Sequence, residues 1–99
     1  MFDFLKQAQQ QSEDVKKRLE NVFVEAESEG GMVKVTANGN KKITQISISP
    51  ALVEEKDKEA IEELVLIAVN RAMEKAEKVF ESEMQSVAMG ILPNLKGFM

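Results

Sequence analysis

The sequence predicts an α+β domain ordered as helix, three-stranded antiparallel meander and long helix (α-β-β-β-α). Three observations carry this. Apolar residues at spacings of three and four open the chain, two glycine-centred turn signals punctuate an alternating middle, and neither glycine nor proline interrupts residues 57–89. The 99 residues form one domain, 1–99, in keeping with ordinary domain size.

Residues 2–22 are expected to be the first helix. Leu5, Ala8, Ser12, Val15, Leu19 and Val22 form a heptad-like seam, interrupted by polar Ser12. Glu13–Lys17 and Asp14–Arg18 have the better orientation for i,i+4 pairs. So narrow a seam suits packing against one other helix better than lying across a sheet.

Residues 22–49 are expected to be the meander. Gly30-Gly31 and Asn38-Gly39 are both hairpin signals. A two-residue turn at the first places Ala26 opposite Val35 and Val24 opposite Ala37. A two-residue turn at the second places Val33 opposite Thr44. Val24, Ala26, Val33, Val35, Ala37, Thr44, Ile46 and Ile48 then share one buried face. Glu25, Glu27, Lys34, Thr36, Lys41, Gln45 and Ser47 share the other, with Glu27 opposite Lys34. Ile43 falls on the polar face as the one misfit.

Ser49-Pro50 predicts an N-cap with proline in the first turn of a short helix through Leu52 and Val53. The long helix is expected over 57–89, with Gly90 as its stop, Pro93 beyond, and 90–99 an irregular apolar tail. From Ile61 to Val69 this helix is apolar over a wide arc. Afterwards only Met73, Ala76, Phe80, Met84 and Val87 continue as a stripe. The first half is therefore expected to cover the sheet and the second half to pair with the first helix.

Length bears on assembly. Thirty-three helical residues make a rod of about 50 Å, whereas a compact 100-residue domain has a radius of gyration of about 13 Å. The helix must project, and a three-stranded sheet leaves two open edges. Both problems are relieved if two chains join as a homodimer.

Composition narrows the function classes. Histidine, cysteine, tryptophan and tyrosine are all absent. The usual neutral-pH base, thiol nucleophile and zinc ligands are missing, so no catalytic, cofactor or metal residues are assigned and the chain is read as a non-enzyme. No apolar run spans a membrane, no signal-peptide pattern opens the chain, and a cytoplasmic location is expected. Net charge is −4. Acids dominate Glu54 to Glu63, where six face two lysines. At a helix N-terminus such acids interact favourably with the helix dipole, which accounts for them better than a cation site.

Particular segments also carry a resemblance. Gly30-Gly31-Met32-Val33-Lys34-Val35-Thr36-Ala37-Asn38-Gly39, then Ile46-Ser47-Ile48-Ser49-Pro50-Ala51-Leu52, resemble the signature of the YbaB/EbfC nucleoid-associated proteins. Lys6-Gln7-Ala8-Gln9-Gln10 and Val69-Asn70-Arg71-Ala72 fit the family's two helices. The resemblance covers nearly the whole chain. It implies a tweezer-like homodimer with sheets at the centre and helices as arms. It also implies sequence-tolerant binding of double-stranded DNA in the bacterial nucleoid.

The candidate DNA-binding residues are Lys16, Lys17 and Arg18 on the first helix and Arg71, Lys75 and Lys78 on the long helix. Arg71, Lys75 and Lys78 follow helical spacing, Lys16, Lys17 and Arg18 stand in a row, and each set would contact phosphates. Each also has acids nearby, Glu13, Asp14 and Glu20 in one case and Glu74, Glu77 and Glu81 in the other, so a solvated helix face is the alternative. The rival function is a scaffold or chaperone-like module that holds protein partners with its arms and with the tail residues Ile91, Leu92, Leu95, Phe98 and Met99.

Overall fold

The computed structural model describes residues 2–91, with the side chains of residues 2–4, 7, 8, 11, 12, 90 and 91 outside that description. The elements are α1 (Phe2–Leu19), β1 (Phe23–Ser28), a 3-10 turn (Glu29–Gly31), β2 (Val33–Asn38), β3 (Ile43–Ile48), α2 (Pro50–Glu54) and α3 (Lys58–Ile91). The strands form one antiparallel sheet in the order β1-β2-β3.

The first hairpin has the expected register. Val24 stands opposite Ala37, Ala26 opposite Val35 and Glu27 opposite Lys34. Its connection is longer than two residues, because Glu29–Gly31 wind into a single turn closed by Met32 N–H donating to Glu29 O at 3.2 Å. Glu29, Gly30 and Gly31 take φ of 48°, 63° and 92° in succession. Two glycines make that left-handed run tolerable.

The second hairpin departs from expectation. Val33 stands opposite Ile48, not Thr44, and Val35 opposite Ile46. Asn38-Gly39 does not close a two-residue turn. The Asn38 carboxamide oxygen accepts from Asn40 N–H at 2.9 Å and Lys42 N–H at 3.3 Å, organising a wider loop in which Lys41 takes φ 65°. The pairing moves by four residues, an even number, so Ile46 and Ile48 keep their predicted face. A register shift between Thr36 and Ala37 leaves Thr44 as the extra residue of a bulge and sets Ile43 opposite Ala37. The bulge removes the Ile43 misfit by turning it onto the apolar side. The Thr44 hydroxyl donates instead to Thr36 O at 3.3 Å.

Helix boundaries shift at three places. α1 ends at Leu19 rather than 22, followed by a turn into β1. α2 begins with Pro50 as expected, but the Ser49 side chain makes no capping bond. Ser49 N–H instead donates to Met32 O at 2.7 Å. α3 is N-capped by Asp57, whose carboxylate accepts from Ala60 N–H at 3.1 Å. Gly90 does not stop α3, which continues to Ile91. The predicted tail otherwise lies outside the described residues.

Packing follows the two-part reading of α3. Its first half lies across β1 and β2, and its second half packs with α1. Ala68, Ala72 and Ala76 are fully buried at i, i+4 and i+8. Their small side chains let α3 settle closely on Ala26, Val33, Val35 and Ala37, with Leu52 of α2 completing the core. The α1 seam is buried at Val15 and Leu19 but Leu5 is exposed. Because α3 barely reaches β3, Ile43 and Ile46 stay exposed, as does Leu66 on the outer side of α3. The chain measures 61 × 26 × 17 Å with a radius of gyration of 18.6 Å, well above the compact value of about 13 Å.

Candidate nucleic-acid interface

The candidate cations fall into two groups with different surroundings. One group sits where α1 ends against the β2–β3 loop. Lys16, Lys17 and Arg18 occupy the last turn of α1, where positive charge complements the helix dipole. The loop is fastened to this end. The Asn40 amide donates to Lys16 O at 2.7 Å, and Gly39 N–H donates to both Leu19 O at 3.0 Å and Val22 O at 2.8 Å. Gly39 is needed for close approach, since a Cβ there would lie 2.7 Å from Leu19 Cδ2.

That docking brings Lys41 and Lys42 to the same corner. Both are exposed, and Lys41 Nζ lies over the Phe80 ring of α3 at 4.4 Å from its centroid. Sequence reasoning did not join these lysines to the α1 cations. The signal was present as an adjacent basic pair, but the hydrogen bond that unites them spans 24 positions, Lys16 to Asn40. Within this corner Lys16 and Lys17 are exposed. Arg18 does not pair back to Asp14. It crosses to Glu83 of α3 at 2.6 Å, tying the two helices together.

The second group runs along α3. Arg71, Lys75 and Lys78 are exposed at helical spacing. Arg71 donates to the Glu27 backbone carbonyl at 2.9 Å, and Lys75 to the Glu25 carbonyl at 2.7 Å. Each bond uses one donor of five on Arg71 and one of three on Lys75, so further acceptors can be bound. The structure therefore brings Lys16, Lys17, Arg18, Lys41 and Lys42 together and sets Arg71 and Lys75 against the sheet margin. Among the described residues, no acidic cluster is placed to hold a metal ion.

Taken as a whole, this is a small α+β protein with a two-helix arm on a three-stranded sheet and exposed cations where arm and sheet meet. The chain belongs to the YbaB/EbfC DNA-binding family, whose model matches residues 1–91. It is 45% identical over 97 residues to the nucleoid-associated protein Teth514_0034 of Thermoanaerobacter sp. (strain X514), covering 94% of this chain and 87% of that one. It is 39% identical to a nucleoid-associated protein of Flavobacterium johnsoniae, covering 98% and 90%. The fold is similar to that of a crystal structure of the uncharacterized protein HP0035 from Helicobacter pylori, with a TM-score of 0.66 and 24% identity over 89% of this chain and 98% of that one.

Proposed function

We propose that this chain is a nucleoid-associated DNA-binding protein that works as a homodimer on the phosphate backbone of double-stranded DNA and catalyses no reaction. Membership of a DNA-binding family is the observation that carries the reading, and it favours DNA over a protein scaffold. The phosphate-binding residues assigned are Lys16, Lys17, Arg18, Arg71, Lys75 and Lys78, joined by Lys41 and Lys42 through the docked loop. All are long, flexible cations suited to phosphate. Tryptophan and tyrosine, two of the best side chains for stacking on bases, are absent.

The dimer part of the proposal rests on β3. Ile43 and Ile46 are exposed on the face that elsewhere forms the core, and Ile48 is half-buried. Burying such side chains fully is worth roughly 1.5–3 kcal/mol each. A second copy laid against this face would cover them and pair two arms across one centre. The nucleoid is the proposed location, and among the described residues no helix is long and apolar enough to cross a membrane.

The test is fluorescence anisotropy with random-sequence duplex DNA at two salt concentrations. Binding that weakens with salt is expected, and absence of binding at low salt would overturn the proposal. Light scattering tests the dimer, which a folded monomer at micromolar concentration would refute.

A further inference from the structure

The sheet has two margins, and they are treated differently. Among the described residues, little covers the β3 side, whereas the β1 side is met by α3. The register shows which β1 groups face outward. Thr36 of β2 turns its carbonyl toward β3, where it accepts from the Thr44 hydroxyl at 3.3 Å. Its β1 partner is Glu25. The Glu25–Thr36 pair is therefore of the type without mutual backbone bonds, and the carbonyls of Glu25 and Glu27 point to the open margin. Left free, such a row is a template for another strand.

Those two carbonyls are the acceptors used by Lys75 and Arg71. The spacing matches. Four helical residues advance about 6 Å, and two strand residues about 6.8 Å, so residues i and i+4 of α3 register with alternate carbonyls of β1. The buried Ser28 hydroxyl adds a third tie at the end of β1, donating to Leu64 O at 2.7 Å. From this we infer that Arg71 and Lys75 close the β1 edge against pairing with the β1 strand of a second copy.

The side chains of Glu25 and Glu27 are exposed and acidic, but like charges alternate with neutral positions and do not cap backbone groups. The cations do. The consequence is that assembly through β3 ends at a closed unit. If the β1 edges were open, each unit built through the β3 face would still offer them for strand pairing, and growth would continue without limit.

The experiment is light scattering across a concentration series on the full chain carrying Arg71→Ala and Lys75→Ala together. Circular dichroism checks that the helices persist. The expected result is a mass at least double that of the wild type and rising with concentration. Arg71→Lys with Lys75→Arg retains donors and should keep the wild-type mass. Adding Glu25→Pro to the double alanine variant removes an outward N–H without touching the β1–β2 ladder, and should return the mass to the wild-type value. A folded double variant with unchanged mass overturns the inference, and so does association that survives Glu25→Pro. If the double variant loses helical signal, Arg71→Met and Lys75→Met singly keep the apolar stems, and unchanged mass in both overturns it. Every mass is read relative to wild type, so the outcome is separate from whether the wild type is a dimer.

Discussion

Replacing Gly39 with alanine tests how the sheet is joined to the arm. The φ of Gly39 is not positive, so alanine can adopt its backbone and the effect is steric. The new Cβ would sit 2.7 Å from Leu19 Cδ2, and 3.1 Å from both Leu19 Cβ and Leu19 O. Ordinary carbon contacts lie at about 3.5–4.0 Å. Leu19 is fully buried, so any shift it makes must be taken up by its neighbours in the core. Its carbonyl cannot retreat without stretching the 3.0 Å bond from Gly39 N–H. Overpacking of this kind costs about 1–3 kcal/mol, and a weakened hydrogen bond adds about 1 kcal/mol. Reduced freedom of the unfolded chain returns about 0.4–1 kcal/mol. The net expectation is a loss of about 2 kcal/mol, read as a lower urea midpoint at fixed protein concentration. For a chain of this size that loss lowers Tm by roughly 8–16 °C. Leu19→Ala alone should cost about 2–5 kcal/mol. Combined with Gly39→Ala it removes the Cδ2 clash, so the two losses should sum to less than additivity by more than about 0.5 kcal/mol. An unchanged midpoint for Gly39→Ala, or a strictly additive cycle, would refute the reasoning.

Three other perturbations probe separate parts of the molecule. Asp57→Ala removes the side-chain acceptor for Ala60 N–H and should cost about 1 kcal/mol by denaturant titration, whereas Asp57→Asn should cost little. Ile46→Asp places a charge on the uncovered β3 face; light scattering should show the mass falling to that of one chain while circular dichroism stays helical. Lys16→Ala with Lys17→Ala should reduce the magnitude of the DNA-binding salt slope by about 0.9 for each phosphate left without its cation. An unchanged slope would mean these lysines are solvated and do not bind.

Much of the architecture was legible because local signals and the hydrophobic period agreed. The β1–β2 register could be read to the residue, since Gly30-Gly31 leaves one pairing that buries Ala26, Val35 and Ala37 together. The β2–β3 register could not. The Asn38 side chain has a choice between closing a tight turn and holding a wider loop, and the wider loop wins because Gly39 and Asn40 then reach the end of α1. That preference comes from a tertiary interaction, which no local motif encodes. Ile43 taught the same lesson in reverse, since its place on the polar face was the trace of a bulge. Gly90 within α3 shows that one glycine is a weak stop, costing about 1 kcal/mol against alanine in a helix. At the candidate site, helical spacing found the cations but not their neighbours. Arg18 prefers Glu83 to Asp14, and Arg71 and Lys75 rest on β1, because each partner is brought close only by the fold.

An acidic chain that binds DNA poses an electrostatic question, and distance along α3 answers it. The acids that set the net charge of −4 are concentrated in Glu54 to Glu63, at the start of α3. Lys41 sits over Phe80, 17 positions beyond Glu63 on the same helix. At 1.5 Å per residue that is about 25 Å, roughly three Debye lengths at physiological ionic strength. Over such a span the acidic end is largely screened from the corner where Lys16, Lys17, Lys41 and Lys42 gather. The acids that matter there are local. Glu83 is held by Arg18, Glu77 and Glu81 flank Phe80 on α3, and Glu13, Asp14 and Glu20 lie on or just beyond α1. The whole-chain charge therefore governs solubility and long-range encounter at low salt, while the corner's own balance governs its meeting with a phosphate. Lowering ionic strength lengthens the reach of the acidic end. Removing acids from Glu54, Glu55 and Glu59 should then strengthen DNA binding at about 0.01 M salt, where the Debye length is about 30 Å, and leave it nearly unchanged at 0.15 M. Equal strengthening at both salts, read by anisotropy, would place the acids within direct reach of the DNA and defeat the argument.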